Sequence, residues 1–353
     1  MVKIAVIGTT SWGTTLGMML ARKDIEVRLW ARTEKEAKTL RNDGPSATKF
    51  PDVVFPPQVT ITSQMGEAVA DTKAVILAVP SQTMRQNARL LKKHLTKSTL
   101  VISAAKGLEI GSNKRMSEVI AEEISPRSRP NICVLSGPNL SQEIMRQSPA
   151  ATVVAAEDED VARKVQRMLT TPYFCVFTNT DVIGVELGGA LKNIIALGAG
   201  VIDGLGYGDN AKAAFVTRGL TEITALGVAM GANPLTFSGL AGLGDLIATC
   251  ASSLSRNHYV GFELAKGRSL AEIMDSMNEV AEGVGTTLVA YNLAQQLGLG
   301  MPITEKLYRV LYKNADLHHA AKELMEATTR HELSGRKWRL FSLFKGRKIA
   351  TKG

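Results

Sequence analysis

The chain has 353 residues and a mass of 37.9 kDa, with 45% hydrophobic and 21% charged residues, which suits two domains with sizeable cores. That composition excludes disorder throughout, and three cysteines (Cys133, Cys175 and Cys250) exclude a disulfide-built secreted scaffold. The net charge of +9 is concentrated at one end: positions 331–353 hold seven Lys/Arg against one acid, and only +3 remains elsewhere, so basicity does not mark the folded body as a nucleic-acid binder.

Residues 2–7 (VKIAVI) read as a strand that opens the chain directly, with no apolar signal core, and a cytoplasmic location is expected. Gly8 ends that strand, and residues 12–22 read as a helix. Further strands are predicted at Glu26–Trp30, 74–79, 100–104, Ile132–Ser136 and 152–155. Continuous Val/Ile runs suit strands covered on both faces, and helices between them imply parallel crossovers. The expected fold is α/β: a Rossmann-like, doubly wound, mostly parallel sheet over residues 1–180. From about 181 to 330 the pattern turns all-helical, with helices predicted at 182–199, 211–230, 270–277, 285–297 and 303–312. Residues 331–353 form a basic tail with no clear place in either domain. The longest uncharged stretch, 223–244, contains Asn233, Pro234 and several glycines and makes a poor bilayer span.

Strand, glycine turn and helix hold a pyrophosphate at a helix N-terminus. The turn here is Gly8-Thr9-Thr10-Ser11-Trp12-Gly13, with the first and third glycines of G-x-G-x-x-G present and Thr10 in the middle place. Thr10 either displaces the cofactor slightly or offers its hydroxyl to a phosphate. The second strand ends in Trp30-Ala31-Arg32-Thr33, without the acid that NAD sites carry on the ribose. Arg32 is either a solvated loop residue or a partner for adenine and a 2′-phosphate. NADPH is therefore expected to serve at least as well as NADH.

Lys192 and Asn193 stand in a nearly all-apolar helix, with Glu186 near its start. Lys192 is either a snorkelling lysine at the rim or a buried one with lowered pKa, able to trade a proton. Lys106 follows a strand, where doubly wound sheets place their crevice; the alternative is a loop surface charge. Ser255-Arg256-Asn257 offers a planar cation and two neutral hydrogen-bonding groups, a set suited to phosphate. Asp245 either orients Lys192 or a substrate hydroxyl, or caps a helix.

Several segments then point to one family. They are Ala104-Ala105-Lys106-Gly107-Leu108-Glu109, Leu135-Ser136-Gly137-Pro138-Asn139, and the run from Gly184 to Asn193 (GVELGGALKN). Further on come Gly208-Asp209-Asn210-Ala211-Lys212-Ala213, Thr217-Arg218-Gly219, Gly239 to Asp245 (GLAGLGD), Leu254-Ser255-Arg256-Asn257 and Val280-Ala281-Glu282-Gly283-Val284. Together they resemble the bacterial-type NAD(P)-dependent glycerol-3-phosphate dehydrogenases over about residues 1–330. The resemblance implies reversible reduction of dihydroxyacetone phosphate to sn-glycerol 3-phosphate for phospholipid synthesis, by a cytoplasmic homodimer using NADPH or NADH. It puts the proton donor/acceptor role on Lys192. Around the substrate it puts Lys106, Gly137, Asn139, Lys192, Asp245, Ser255, Arg256 and Asn257. Around the cofactor it puts Gly8, Ser11, Trp12, Gly13, Arg32, Thr33, Lys106, Ser141, Arg256, Val280 and Glu282. The chain departs from the usual family pattern at Thr10, Asn139 and Ser141.

No metal is expected: His94, His258, His318, His319 and His331 lack ligand spacing. Residues 203–209 (DGLGYGD) do not follow the EF-hand order and read as a turn between helices that faces the active site. The tail from Arg336 interleaves cations with Trp338, Phe341 and Phe344; it is read as solvated, with weak contact to an anionic membrane surface as the alternative. Two other functions fit parts of the pattern: a different Rossmann-plus-helical hydroxy-acid dehydrogenase, and a non-catalytic dinucleotide sensor.

Overall fold

The computed structural model describes residues 2–45, 50, 53–124, 131–277 and 279–326. The basic tail lies outside the described residues. The first half alternates strands and helices: β1 (Lys3–Ile7), α1 (Ser11–Ala21), β2 (Glu26–Trp30), α2 (Glu34–Asp43), β3 (Val59–Thr62), α3 (Met65–Val69), β4 (Ala74–Leu77) and α4 (Met84–Lys92). It continues with β5 (Leu100–Ser103), α5 (Met116–Glu123), β6 (Ile132–Ser136), α6 (Ser141–Met145), β7 (Ala150–Ala155), α7 (Glu159–Leu169) and β8 (Phe174–Asn179). The strands form one sheet in the order β3-β2-β1-β4-β5-β6-β7-β8. The first six strands run parallel; β7 pairs antiparallel with β6, and β8 runs parallel to β7.

The Val/Ile runs explain the layering. Every residue of β4, β5 and β6 is buried. Side chains alternate between faces along a strand. Ile4 and Val6 of β1, with Ile76 and Ile102, join Leu16 and Leu20 of α1 on one face. Ala5 and Ile7, with Val75, Leu77 and Val101, meet Met84, Val119 and Ile120 of α4 and α5 on the other. The expected doubly wound, mostly parallel sheet is therefore present. Two strands escape the sequence pattern, β3 (VTIT) and β8 (FCVFTN). Both flank the sheet, so their exposed positions break the apolar run.

The second half is helical: α8 (Val182–Leu205), α9 (Gly208–Ala229), α10 (Asp245–Ala251), α11 (Arg256–Ala265), α12 (Leu270–Asp275), α13 (Glu282–Leu297), α14 (Pro302–Lys313) and α15 (Leu317–Glu326). A 3-10 turn (Pro234–Ser238) and a wide helical turn (Leu240–Gly244) lead into α10. Helix α8 is the axis, touching α9, α10, α11, α13 and α14. It is long and apolar enough to cross a membrane, with mean hydropathy 1.5, yet 89% of that apolar stretch is buried inside the fold. It runs six residues past the predicted end at 199, closing on Gly206 in the left-handed region. Residues 203–209 thus become the end of one helix and the start of the next, with Asp203 bonded to Lys212 and His258, each at 2.6 Å.

Helices α8 and α11 meet backbone to backbone. A Cβ on Gly200 would lie 2.0 Å from the His258 carbonyl, and one on Gly261 would lie 1.8 Å from that of Leu197. No side chain fits there without parting the helices. Gly261→Ala is expected to destabilise the fold by about 3 kcal/mol, the upper range for overpacking. A thermal unfolding midpoint unchanged from the parent would show that the two backbones are not in contact.

Candidate active site

The glycine turn sits where β1 ends. Gly8 has φ +108°, and a Cβ there would come within 2.7 Å of the Ala78 carbonyl. A Cβ on Gly13 would meet the Gly8 carbonyl at 2.2 Å. Thr10 caps α1: its hydroxyl accepts from the Gly13 N–H at 3.1 Å and donates to the Ala78 carbonyl at 2.9 Å. Beyond the cap, the Glu279 carboxylate accepts from the Ser11 N–H at 3.2 Å and from the Ser11 hydroxyl. An anion thus rests on the N-terminus of α1, the place a phosphate takes in a dinucleotide site. The cradle fits a pyrophosphate, with the carboxylate standing in for one phosphate.

The other expected cofactor residues surround this point. Trp12 packs against the core of the sheet half, and its indole N–H is buried without a hydrogen-bond partner among the described residues. Arg32 is exposed at the end of β2, and Thr33 caps α2 by accepting from the Glu36 N–H at 3.2 Å. Ser141 begins α6, its carbonyl 3.4 Å from the Thr15 hydroxyl. Glu282, the first residue of α13, turns its carboxylate onto Ser81, accepting from the N–H at 2.8 Å and from the hydroxyl. Val280 offers its carbonyl to the Arg256 guanidinium at 3.0 Å.

The centre lies at the carboxyl ends of β5 and β6, facing α8 and α10. Lys106 follows β5 and donates to the Gly137 carbonyl at 2.7 Å and to Asp245 Oδ2 at 2.8 Å. Lys192, on α8, donates to Asp245 Oδ1 and to the Thr249 hydroxyl, the latter at 2.6 Å. One carboxylate is shared by two ammonium groups, and it is 1% exposed. Asp245 is itself the first residue of α10, so its side chain serves the lysines rather than a helix cap. Lys192 is 5% exposed, which rules out the snorkelling reading. Burial pushes its pKa down to about 7, with Lys106 adding to the fall and Asp245 opposing it.

Asn139 packs on β7, donating to the Ala151 carbonyl at 3.1 Å and accepting from the Thr152 hydroxyl at 2.8 Å. The Ser255-Arg256-Asn257 set divides its work. Ser255 caps α11, accepting from the His258 N–H at 3.3 Å. Asn257 is buried, donating to Asn193 Oδ1 at 2.9 Å and accepting from the Gly283 N–H at 2.8 Å. Asn193 in turn donates to the Lys106 carbonyl at 3.0 Å. Only Arg256 of the three is exposed, with Glu279 as its ion-pair partner at 3.3 Å. A relay of amides therefore joins α13, α11 and α8 to the loop that carries Lys106.

Four participants have roles that the sequence pattern does not announce. Thr249 lies one helical turn after Asp245 and therefore on the same face of α10, a spacing that could have found it. Glu279 and Glu36 reach the glycine turn from distant segments. Glu186 is a buried clamp: it accepts from the Ser117 N–H and from Arg115, each at 2.7 Å, tying α8 to the start of α5. Burial raises its pKa, against the pull of Arg115 and Ser117.

Comparison with known proteins agrees in both halves. Residues 3–162 match the family model described as NAD-dependent glycerol-3-phosphate dehydrogenase N-terminus, and residues 181–322 match the corresponding C-terminus model. A glycerol-3-phosphate dehydrogenase [NAD(P)+] of Dehalococcoides mccartyi is 60% identical over 349 residues, covering 99% of this chain and 97% of the relative. One from Moorella thermoacetica is 48% identical, covering 95% of this chain and 99% of the relative. The crystal structure of glycerol-3-phosphate dehydrogenase from Coxiella burnetii superposes with a TM-score of 0.87 at 33% identity, covering 92% of this chain and 98% of that one. The glycine cradle, the paired lysines and these likenesses in both halves lead to one conclusion: the chain belongs to the NAD-dependent glycerol-3-phosphate dehydrogenase family.

Proposed function

We propose that this chain interconverts dihydroxyacetone phosphate and sn-glycerol 3-phosphate with NADH or NADPH, and that Lys192 carries the proton. The observation that supports this most is the buried carboxylate of Asp245 shared by Lys106 and Lys192. The dinucleotide supplies or accepts the hydride. The chain's own part is polar. Reduction places negative charge on the C2 oxygen, and an ammonium beside it stabilises that charge and gives up the proton. A lysine held near pH 7 by burial suits both directions, since it is neither locked charged nor locked neutral.

Lys106 adds a second positive charge and, with Asp245, fixes where Lys192 points. Arg256, exposed at the first turn of α11, is the natural receiver of the substrate phosphate, where guanidinium and helix N-terminus act together. Ser255, Asn257, Gly137 and Asn139 shape the surroundings of that site. The α1 N-terminus with Gly8, Ser11, Trp12 and Gly13 takes the pyrophosphate, with Arg32, Thr33, Ser141, Val280 and Glu282 around the rest of the cofactor. In this reading residues 1–180 bind the cofactor, residues 181–330 supply the proton donor and phosphate receiver, and the protein works as a cytoplasmic homodimer feeding phospholipid synthesis. Residues 331–353 make at most weak contact with an anionic membrane surface.

Three measurements test the roles. Lys192→Ala is expected to lower kcat by roughly 10³, within the range for removing a general acid, while the dinucleotide dissociation constant stays near the parent's. Turnover near the parental rate would eliminate the proton role. The pH profile follows from the lowered pKa. Reduction needs the ammonium form, so its kcat falls as pH rises above about 7; oxidation needs the amine, so its kcat rises over the same window. Identical profiles in both directions would contradict this. Arg256→Ala removes a charge-assisted bond and is expected to raise KM for dihydroxyacetone phosphate by roughly 10- to 100-fold; an unchanged KM would move the phosphate elsewhere.

A further inference from the structure

Lys106 and Lys192 reach Asp245 from different halves of the chain, so their backbones must be held at a fixed spacing. What holds them bears on the proton role proposed for Lys192, and the inference rests on that reading. Lys106 rides on the segment after β5, which closes on itself. Leu108 and Arg115 form an antiparallel bridge, and the Glu109 N–H donates to the Lys114 carbonyl at 2.9 Å. Leu108 is fully buried and shares the helical core with Leu187 and Leu191 of α8. Arg115 ends the loop, and its guanidinium donates to Glu186 Oε2 at 2.7 Å. Ser117 gives Glu186 its N–H at 2.7 Å and its hydroxyl at 2.5 Å. A ring is thereby closed: the Lys106 loop, Arg115, Glu186, Lys192, Asp245 and back to Lys106.

The far side of that ring needs a stop because the near side is smooth. Helix α8 meets its neighbours there with bare backbone. A Cβ on Gly188 would lie 2.4 Å from the Ala241 carbonyl, and one on Gly189 would lie 2.2 Å from the Ser136 hydroxyl. Glycines permit that approach but offer no side chain to interlock, so they do not by themselves stop α8 sliding or turning. Asn193 holds the Lys106 carbonyl at 3.0 Å, a single bond about which the loop can swing. Glu186 stands six residues before Lys192, about 9 Å along the helix and about 120° round it. A carboxylate 7% exposed and held by three donors checks both motions at once.

We propose that Glu186, through Arg115, is a positioning residue that sets the spacing of Lys106 and Lys192. The charged groups facing Lys192 are Asp245 and Lys106. Cys250 on α10 also senses it, but burial pushes that thiol up to about 12 and it stays neutral. The buried and half-buried charges on the other helices around α8 have partners of their own. Lys212 and His258 meet Asp203, Glu263 meets Arg268, Lys306 meets Glu323, Glu222 holds the α14 N-terminus, and Glu282 holds Ser81. Burial and Lys106 are what hold the Lys192 pKa down to about 7. Both weaken when the clamp loosens, so that pKa rises. Loss of the Glu186 charge alone acts the other way, since it disfavours a nearby ammonium. The alternative is a strut that only joins the two halves. A strut changes how much enzyme is folded; a positioning residue changes what the folded enzyme does.

The test compares the full-length parent with Glu186→Gln and with Arg115→Met combined with Glu186→Leu. The readouts are kcat for dihydroxyacetone phosphate reduction against pH, the NADH dissociation constant and the thermal midpoint. Glu186→Gln strands Arg115 without its counter-charge and is expected to unfold more easily. The paired variant puts apolar groups in place of the ion pair, which keeps stability and removes the directed link. In both, kcat at about pH 6 is expected to fall about tenfold or more, since a displacement of about 1 Å can cost that much. The falling limb of the profile is expected to move up by about half to one pH unit, a three- to tenfold effect at fixed pH. NADH is expected to bind within about threefold of the parent. A paired variant with parental kcat and an unmoved limb overturns the proposal and leaves a strut. So does a lowered kcat with an unmoved limb, or a paired variant that does not fold. A parent with no limb near pH 7 removes the proton role of Lys192 itself, a different failure from an unmoved limb.

Discussion

Two ammonium groups share one buried carboxylate, and the rest of the molecule is arranged to make that tolerable. A lysine taken out of water loses solvation worth several kcal/mol unless partners replace it. Asp245 can neutralise one of Lys106 and Lys192, not both. With Lys192 protonated, the cluster keeps an excess positive charge at a place 1% to 5% exposed for Asp245 and Lys192. Such a cluster is poorly stabilised by the protein alone and is best completed by an anion. An oxygen that gains negative charge during reduction supplies that completion only at the moment it is needed, which is the condition for lowering a barrier rather than merely binding substrate.

The cluster spans the two halves of the chain, so the geometry of the site is the geometry of their contact. Lys106 comes from the sheet, after β5; Lys192 and Asp245 come from α8 and α10. Four polar links, one buried and three partly buried, hold the halves in register: Glu186 on Ser117 and Arg115, Glu282 on Ser81, Asn193 on the Lys106 carbonyl, and Lys106 on Asp245. Each is a group whose isolation would be expensive, so sliding one half past the other breaks several at once. Asn257 extends the same control to α13, through Asn193 and the Gly283 N–H. An apolar contact would permit sliding of that kind; a set of directed hydrogen bonds does not.

The sheet was legible because buried parallel strands must be apolar at consecutive positions, and β1, β4, β5 and β6 are. Where a strand lies at an edge the rule relaxes, and β3 and β8 went unseen. Lys192 was legible because a charge in an apolar helix needs a reason. Asn257 was legible as a member of a motif but not in the role it plays. Its chemistry alone suggested a ligand contact, while the fold spends both ends of its amide on Asn193 and Gly283. Glu36 and Glu279 were illegible for a simpler cause. Their sequence neighbourhoods are ordinary charged surface, and only the return of α2 and of the segment before α13 brings them to the glycine turn.

Thr10 shows how a departure from a fingerprint can be absorbed. A glycine in the middle place frees backbone for a phosphate but contributes no cap to the helix after it. Here the threonine hydroxyl closes the first turn of α1 and at the same time anchors that turn to the end of β4 through the Ala78 carbonyl. Its backbone lies at φ −61°, a conformation open to any residue, so nothing in the turn requires glycine at this position. The Ser11 N–H beyond it still faces an anion, the Glu279 carboxylate. The function of the turn therefore rests on the direction of the α1 N–H groups and on the close approaches at Gly8 and Gly13, and the middle residue is free to trade backbone freedom for a fixed helix start.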